Sequence, residues 1–185
     1  ANSLEENKGL SFMGVTPAGP FDIPGSLARL WIALPLNSNG RPNSDVIRPY
    51  YNGMDLAKNP RDVWIVDFED MSFEEASLYE VPFSHIEKKV KPARQASRIP
   101  DSQWWLFTRS RPIMRAALKS LSRYIATSMV SKHHFFCWLD RSVLPANLLI
   151  VVARADDYFF GVLHAKPHEL WALRQGTDLG VTPRY

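Results

Sequence analysis

The sequence predicts an α+β fold: a mixed, mainly antiparallel sheet with several packed helices. Three observations lead there. From residue 72 to residue 124, helix-start signals and apolar residues at helical spacing dominate. From 133 to 164 come three short runs rich in aromatic and β-branched residues, "HHFFCWL", "NLLIVVA" and "YFFGVLH". The link between the last two, "RADD", is short enough for a hairpin. Finally, "KPHELWALRQG" reads as a covering helix, opened by Pro167 and closed by Gly176. With 185 residues, 45% of them hydrophobic, the chain can bury one substantial core, or one core and a small appended lobe.

Taken in order, "GVTPAGPFDIPG" (14–25) is dense in Pro and Gly and reads as loop. The apolar run "LWIALPLN" ends at Pro35 and the polar turn after it. "VWIVDF" (63–68) reads as a buried strand. Ser72 with Glu75 three residues on forms a capping box, and the acids after it favour a helix's first turn. The helix that follows runs toward Pro92 and gives way to loop. "WWLF" is a short strand or an anchor for that loop. Pro112 opens another helix, with Ile113, Ala117, Leu121 and Tyr124 on its apolar stripe, widened by Met114 and Leu118. Residues 1–28 are expected to be an N-terminal linker and loop segment. Residues 29–185 form the domain, helical from about 70 to 125 and β-rich from about 130 to 185.

Composition excludes several classes. No apolar run approaches the roughly 20 residues that span a bilayer, and the polar start "ANSLEENKGL" lacks a signal-peptide core. That start reads as a boundary inside a longer chain. One Cys excludes an internal disulfide and fits a reducing, cytoplasmic setting. Net charge is +3, but its distribution matters more. The segment 67–80 carries six acids and no base. From Lys88 to Arg115 the sign reverses, with Asp101 as the one acid against eight bases. Such a block is either a solvated face or a set of phosphate contacts.

No catalytic constellation stands out. His133 and His134 are adjacent on an expected strand and point to opposite faces, so they cannot share one ion. His164 and His168 have zinc-like spacing, but Pro167 lies between them and no further Cys or His completes a ligand set. Cys137 lies in an apolar strand, where a thiol behaves as a small hydrophobe. There is no P-loop, no Gly-x-Gly-x-x-Gly turn and no Gly-x-Ser-x-Gly elbow. Asp67, Glu69 and Asp70 read as a strand end and an acidic helix start rather than a carboxylate pair. Neither a catalytic residue nor a metal site is therefore expected.

Seven phrases stand in an informative order. "NSDVIRPYYNGMDL" and "RDVWIVDFEDMSFEEASLYE" precede "VKPAR" and "WWLFTRSRPIMRAAL". "RYIATSMVSKHHFFCWL", "DDYFFGVLHAKPHELWAL" and "GVTPRY" follow. Over residues 10–185 this resembles the target-recognition domain, the C-terminal specificity part, of the MmeI-like type II restriction–modification DNA adenine methyltransferases. The resemblance implies sequence-specific recognition of double-stranded DNA by a domain that lacks the catalytic methyltransferase part. The chain has neither that family's Asn-Pro-Pro-Tyr motif nor a glycine-rich S-adenosylmethionine motif. S-adenosylmethionine is implied for the intact enzyme and no cofactor for this segment; the partners implied are duplex DNA and the enzyme's own methyltransferase domain. Family members continue beyond the Arg-Tyr at which this chain stops.

Carried over residue by residue, the family's base-reading positions fall on Lys132, on Arg154 with Ala155, and on the segment from Gly180 to Arg184, chiefly Thr182 and Arg184. Other members carry Glu or Asn at some of these positions, so the target sequence should differ. The resemblance makes the basic block the backbone-contact surface, with Arg94, Arg98, Arg109 and Arg111 as its contacts. The plainer readings are a solvated strand end for Lys132 and a charged hairpin tip for Arg154. His164 and Trp171 are read as packing around the last helix. A protein-interaction domain that docks a catalytic partner is the competing reading, and a small hydrolase using His164 or His168 is a third.

Overall fold

The computed structural model describes residues 9–96, 102–131, 135–179 and 182–184, with backbone alone at 178, 179 and 182–184. In chain order the elements are β1 (Ser11–Met13), β2 (Asp22–Pro24), α1 (Gly25–Ile32), a 3-10 turn (Asn43–Asp45), β3 (Ile47–Tyr51), α2 (Gly53–Ala57) and β4 (Val63–Val66). Then follow α3 (Phe73–Ser77), α4 (Glu80–Gln95), α5 (Pro112–Leu118), β5 (Arg123–Ser128), β6 (Cys137–Asp140), β7 (Leu144–Pro145) and β8 (Leu149–Val152). The chain ends with α6 (Asp157–His164), α7 (Lys166–Gln175), β9 (Thr177–Leu179) and β10 (Thr182–Arg184). This is the expected α+β class, and the pairs β1–β8, β8–β5, β5–β6, β2–β4, β4–β3 and β9–β10 are antiparallel. Helices and strands are interleaved, however, rather than grouped as helices first and sheet second.

The chain divides into two compact units, one of residues 1–14, 51–60 and 111–185, the other of 15–50 and 61–110. The segment expected as a linker thus carries β1, β2 and the first turn of α1.

In the first unit the strands order as β1-β8-β5-β6. Ile125 pairs with Val152 on one side and Trp138 on the other. Tyr124–Ser128 and Leu149–Val152 are buried at every position, so both faces of the central strands are covered. Full burial removes the alternation that marks a half-exposed strand. Ile125, Phe136, Val152 and Leu163 form a core cluster, with Trp138, Phe159 and Phe160 packed against it. Helix α2 meets β5 at Gly53, where an added Cβ would come within 2.6 Å of the Ser128 hydroxyl, so that position takes glycine for closeness.

The second unit pairs β2 with β4 and β4 with β3. Phe21, Ile65, Phe68, Tyr79, Ile86 and Val90 are fully buried there. The capping box at Ser72 is present in both halves, with the Glu75 amide on the Ser72 hydroxyl at 3.2 Å and the Ser72 amide on Glu75 Oε2 at 2.9 Å. "WWLF" is an anchor: Trp104 packs 5.6 Å from Phe83, and Trp105 donates to the Met71 carbonyl.

Three expectations are corrected. "YFFGVLH" is helix α6, not a third strand, because Asp156 accepts the Phe159 amide and caps a helix there. The helix opened by Pro112 stops at Leu118, and Tyr124 lies in β5; of the expected stripe, Met114 and Leu118 are buried but Ile113 is exposed. Helix α4 runs through Pro92 to Gln95. Pro92 faces solvent, and the burial of Val90 and Arg94 on either side holds the last turn despite the missing amide.

Candidate functional site

In the first unit, strand β8 leaves the sheet at Ala153 and the chain turns through Arg154 and Ala155 into α6. The expected hairpin tip is therefore a strand-to-helix turn, which correct cap chemistry builds. Asp156 accepts the Phe159 amide on Oδ1 at 2.8 Å and takes Arg154 Nε on Oδ2 at 2.8 Å. One carboxylate thus caps the helix and fixes the arginine. The Arg154 hydrogen bond, then the Phe159 amide, hold the Asp156 carboxyl below the usual carboxylate range. The Arg154 guanidinium lies 5.1 Å from the Phe159 ring centroid, and its side chain is 41% exposed. A held but solvent-facing guanidinium presents a planar donor fork, which suits guanine O6 and N7. Ala155 offers only a methyl group beside it.

Arg123, which sequence reasoning did not single out, organises this turn from the first position of β5. Its Nε and Nη2 donate to the Ala155 carbonyl at 3.2 and 3.1 Å, and Nη2 also reaches Asp157 Oδ1 at 2.8 Å. The same guanidinium lies 3.8 Å above the Trp138 ring, and Trp138 stacks on Phe160 at 4.7 Å and 18°. The one trace of it in the sequence is a charged residue opening an otherwise fully buried strand.

The other expected readers are placed unevenly. Lys132 lies outside the described residues, as does Gly180. Thr182 and Arg184 lie on β10, paired with Leu179 and Thr177 of β9, and only their backbone is described. Of the expected backbone contacts, Arg98 is outside the described residues. Arg109 is exposed on a short bridge to Thr16. Arg111 is half-buried, with a left-handed backbone (φ 60°), and donates Nε to the Gly14 carbonyl at 3.1 Å. Arg94 is buried, and its Nη2 donates to the Pro17 and Leu106 carbonyls at 2.7 and 2.9 Å. Arg94 is thus a structural cation: burial removes it from any phosphate. Lys91 pairs with Glu87 at 2.9 Å and lies 5.2 Å from the Trp104 ring. Part of the basic block therefore serves packing.

His164, His168 and Cys137 are each placed by packing. His164 Nδ1 lies 3.0 Å from the Phe160 carbonyl, its Nε2 takes the Phe136 amide at 3.4 Å, and its ring packs on Phe160 at 4.4 Å. It makes these contacts although it lies at the surface. Trp171 is exposed on α7, with its ring 6.3 Å from that of His168. His164, His168, Phe136 and Glu169 line a cleft of about 150 Å³. Among the described residues no three His, Cys, Asp or Glu side chains gather to hold a metal. Burial pushes the Cys137 thiol up, away from a reactive thiolate. Among the described residues no helix is long and apolar enough to cross a membrane.

Comparison with solved structures gives an informative likeness. No family model matches the chain, and no curated protein does. The fold is similar to part of MmeI, a Type IIL restriction–modification enzyme whose structure was solved in complex with DNA. The TM-score is 0.71 at 17% identity, covering 95% of this chain and 23% of that one. At that identity the likeness is one of fold, and the chain spans less than a quarter of the length of its solved neighbour. Nearly the whole chain thus shares the fold of that part of MmeI.

Proposed function

We propose that this chain is a sequence-specific double-stranded DNA recognition domain of a DNA adenine-N6 methyltransferase of the restriction–modification kind. Methyl transfer from S-adenosylmethionine belongs to a methyltransferase domain outside these 185 residues. The observation that carries the reading is the fold likeness over 95% of the chain to a part of an enzyme captured on DNA. The Arg154–Ala155 turn supports it physically. An enzyme that flips its target base needs a separate surface that finds the site, and a rigid sheet with a clamped turn at its end can present a few side chains to base edges. Arg154 and Ala155 read bases in this proposal, with Lys132, Thr182 and Arg184 as their companions. Arg109, Arg98 and Arg111 contact the backbone, and Arg94 drops out.

A protein-docking role has its own support in the exposed Tyr158 (81%) and Trp171 (60%) on α6 and α7. The two roles are compatible, because a recognition domain must also meet its catalytic domain.

The test is duplex binding against salt, followed by selection from a random-sequence duplex library. Binding should weaken steeply as salt rises, and selection should enrich one motif. Arg154→Ala should relax one base pair of that motif at a cost of about 1–3 kcal/mol, while Arg109→Ala weakens all sequences alike. Salt-independent binding, or a library that emerges unenriched, refutes the reading.

A further inference from the structure

Resting on that reading, we infer that Arg123 is a positioning residue for base readout: it sets the turn from which Arg154 and Ala155 face DNA. The Arg154 side chain is held by Asp156 at 2.8 Å and by the Phe159 ring at 5.1 Å, and both belong to the start of α6. Where α6 starts is in turn fixed by Arg123. Its guanidinium grips the carbonyl of Ala155 with two nitrogens and the carboxylate of Asp157 with one, so it holds the chain on both sides of Asp156. The flat face of the same group rests on Trp138, which stacks on Phe160 one helical turn into α6. Three hydrogen bonds thus tie the first residue of β5 to a turn 32 to 34 positions later in the chain, and the stack on Trp138 backs them. The geometry uses the fork and the face of a guanidinium together. A lysine ammonium, a point charge without a plane, can replace neither the paired donors nor the stack. The aim of these donors is inward, at the turn, so Arg123 acts through Arg154 rather than on a base.

Arg123→Gln and Arg123→Lys test this beside Arg154→Ala, using the 185-residue chain. Two readouts are needed. The first is hydrogen exchange at the Phe159 amide, which Asp156 protects. Exchange should speed up on the order of tenfold or more in both Arg123 variants, because the cap loosens when the turn does. Unchanged protection overturns the inference. The second is selection from a random-sequence duplex library. Both Arg123 variants should lose preference at the base pair that Arg154→Ala relaxes, on the order of tenfold, with the rest of the motif and the salt slope kept. Retention of the full motif, or an equal loss for every sequence, overturns the inference. Thermal melting shows whether Arg123→Gln folds; if it does not, Arg123→Lys, which keeps the charge, carries both readouts. If the unsubstituted chain enriches no motif, the DNA reading fails and the readout role falls with it. The exchange measurement then still separates that failure from a turn that Arg123 never held.

Discussion

Arg94 is buried in the second unit, with two carbonyls on its Nη2 and the Phe21 ring 5.8 Å from its guanidinium carbon. Hydrogen bonds to a charged donor are worth about 1.5–3 kcal/mol, and truncation also strands the carbonyls of Pro17 and Leu106. Arg94→Met should therefore lower stability in urea by about 2–3 kcal/mol and leave the salt slope of duplex binding as it was. A lowered slope with intact stability would return Arg94 to the phosphate surface. His85 carries a pH dependence. It packs edge-on against Trp31 at 5.1 Å, and burial, then Lys89 and Lys88, push its pKa below 6.5. Between its folded pKa and 6.5 the unfolded chain binds more protons than the folded one, so stability rises with pH in that window. The contribution is complete above about pH 6.5 and is lost as pH falls through the folded pKa. Urea midpoints from about pH 7 to about pH 5 should decline, and His85→Gln should flatten the decline; equal slopes for both proteins would contradict this. Of the site, sequence phrases led to Arg154 and Ala155 by resemblance. Arg123 stayed hidden because its partners lie 32 and 34 positions away, where no local pattern reaches.

Local chemistry was legible at two helix starts. Ser72 with Glu75, and Pro112 at a first helical position, both mark the helices they promised. Ser72→Ala should cost about 1 kcal/mol in chemical unfolding, and a change to Asn, which also caps, should restore most of it. Restoration by Asn separates capping from a loss of side-chain packing. The errors have a common cause, since they arise where packing outweighs propensity. "YFFGVLH" has the composition of a strand, yet Phe159, Phe160 and Leu163 fall on one helical face and pack toward the core cluster. The "ADD" before it was the cap signal, hidden by the assumption of a hairpin. "RYIATS" carries no alternation because β5 is central and covered on both sides, so Tyr124 at its start reads as the end of a helical stripe. Pro92 stays helical because buried neighbours outweigh one lost hydrogen bond.

At the scale of the whole chain, what the sequence could not reveal is the interleaving of the two units. The backbone passes between them near residues 14, 50, 60 and 110, so neither unit is one continuous segment. Long-range pairing, not composition, sets that path. The consequence is sharpest at the N-terminus. Ser11, Phe12 and Met13 pair with Val152, Val151 and Ile150, and the flanking bonds from Ala153 to Leu10 and from Gly14 to Leu149 extend the ladder at 2.8 and 3.1 Å. Strand β8 is buried at every position and leads directly into the Arg154 turn. Removing residues 1–13 would open its outer edge, exposing unpaired amides and carbonyls beside apolar side chains. Each lost ladder bond is worth about 0.5–1.5 kcal/mol net. A few of them should lower the thermal midpoint of a domain this size by roughly 5–10 °C and raise its tendency to self-associate. A dispensable linker would leave both unchanged, so melting and light scattering of the shortened chain decide between the two descriptions. The same truncation should loosen the β8 end before the rest of the unit. Amide exchange should therefore rise first at Val151–Ala153, and readout by Arg154 should weaken before general affinity for duplex does.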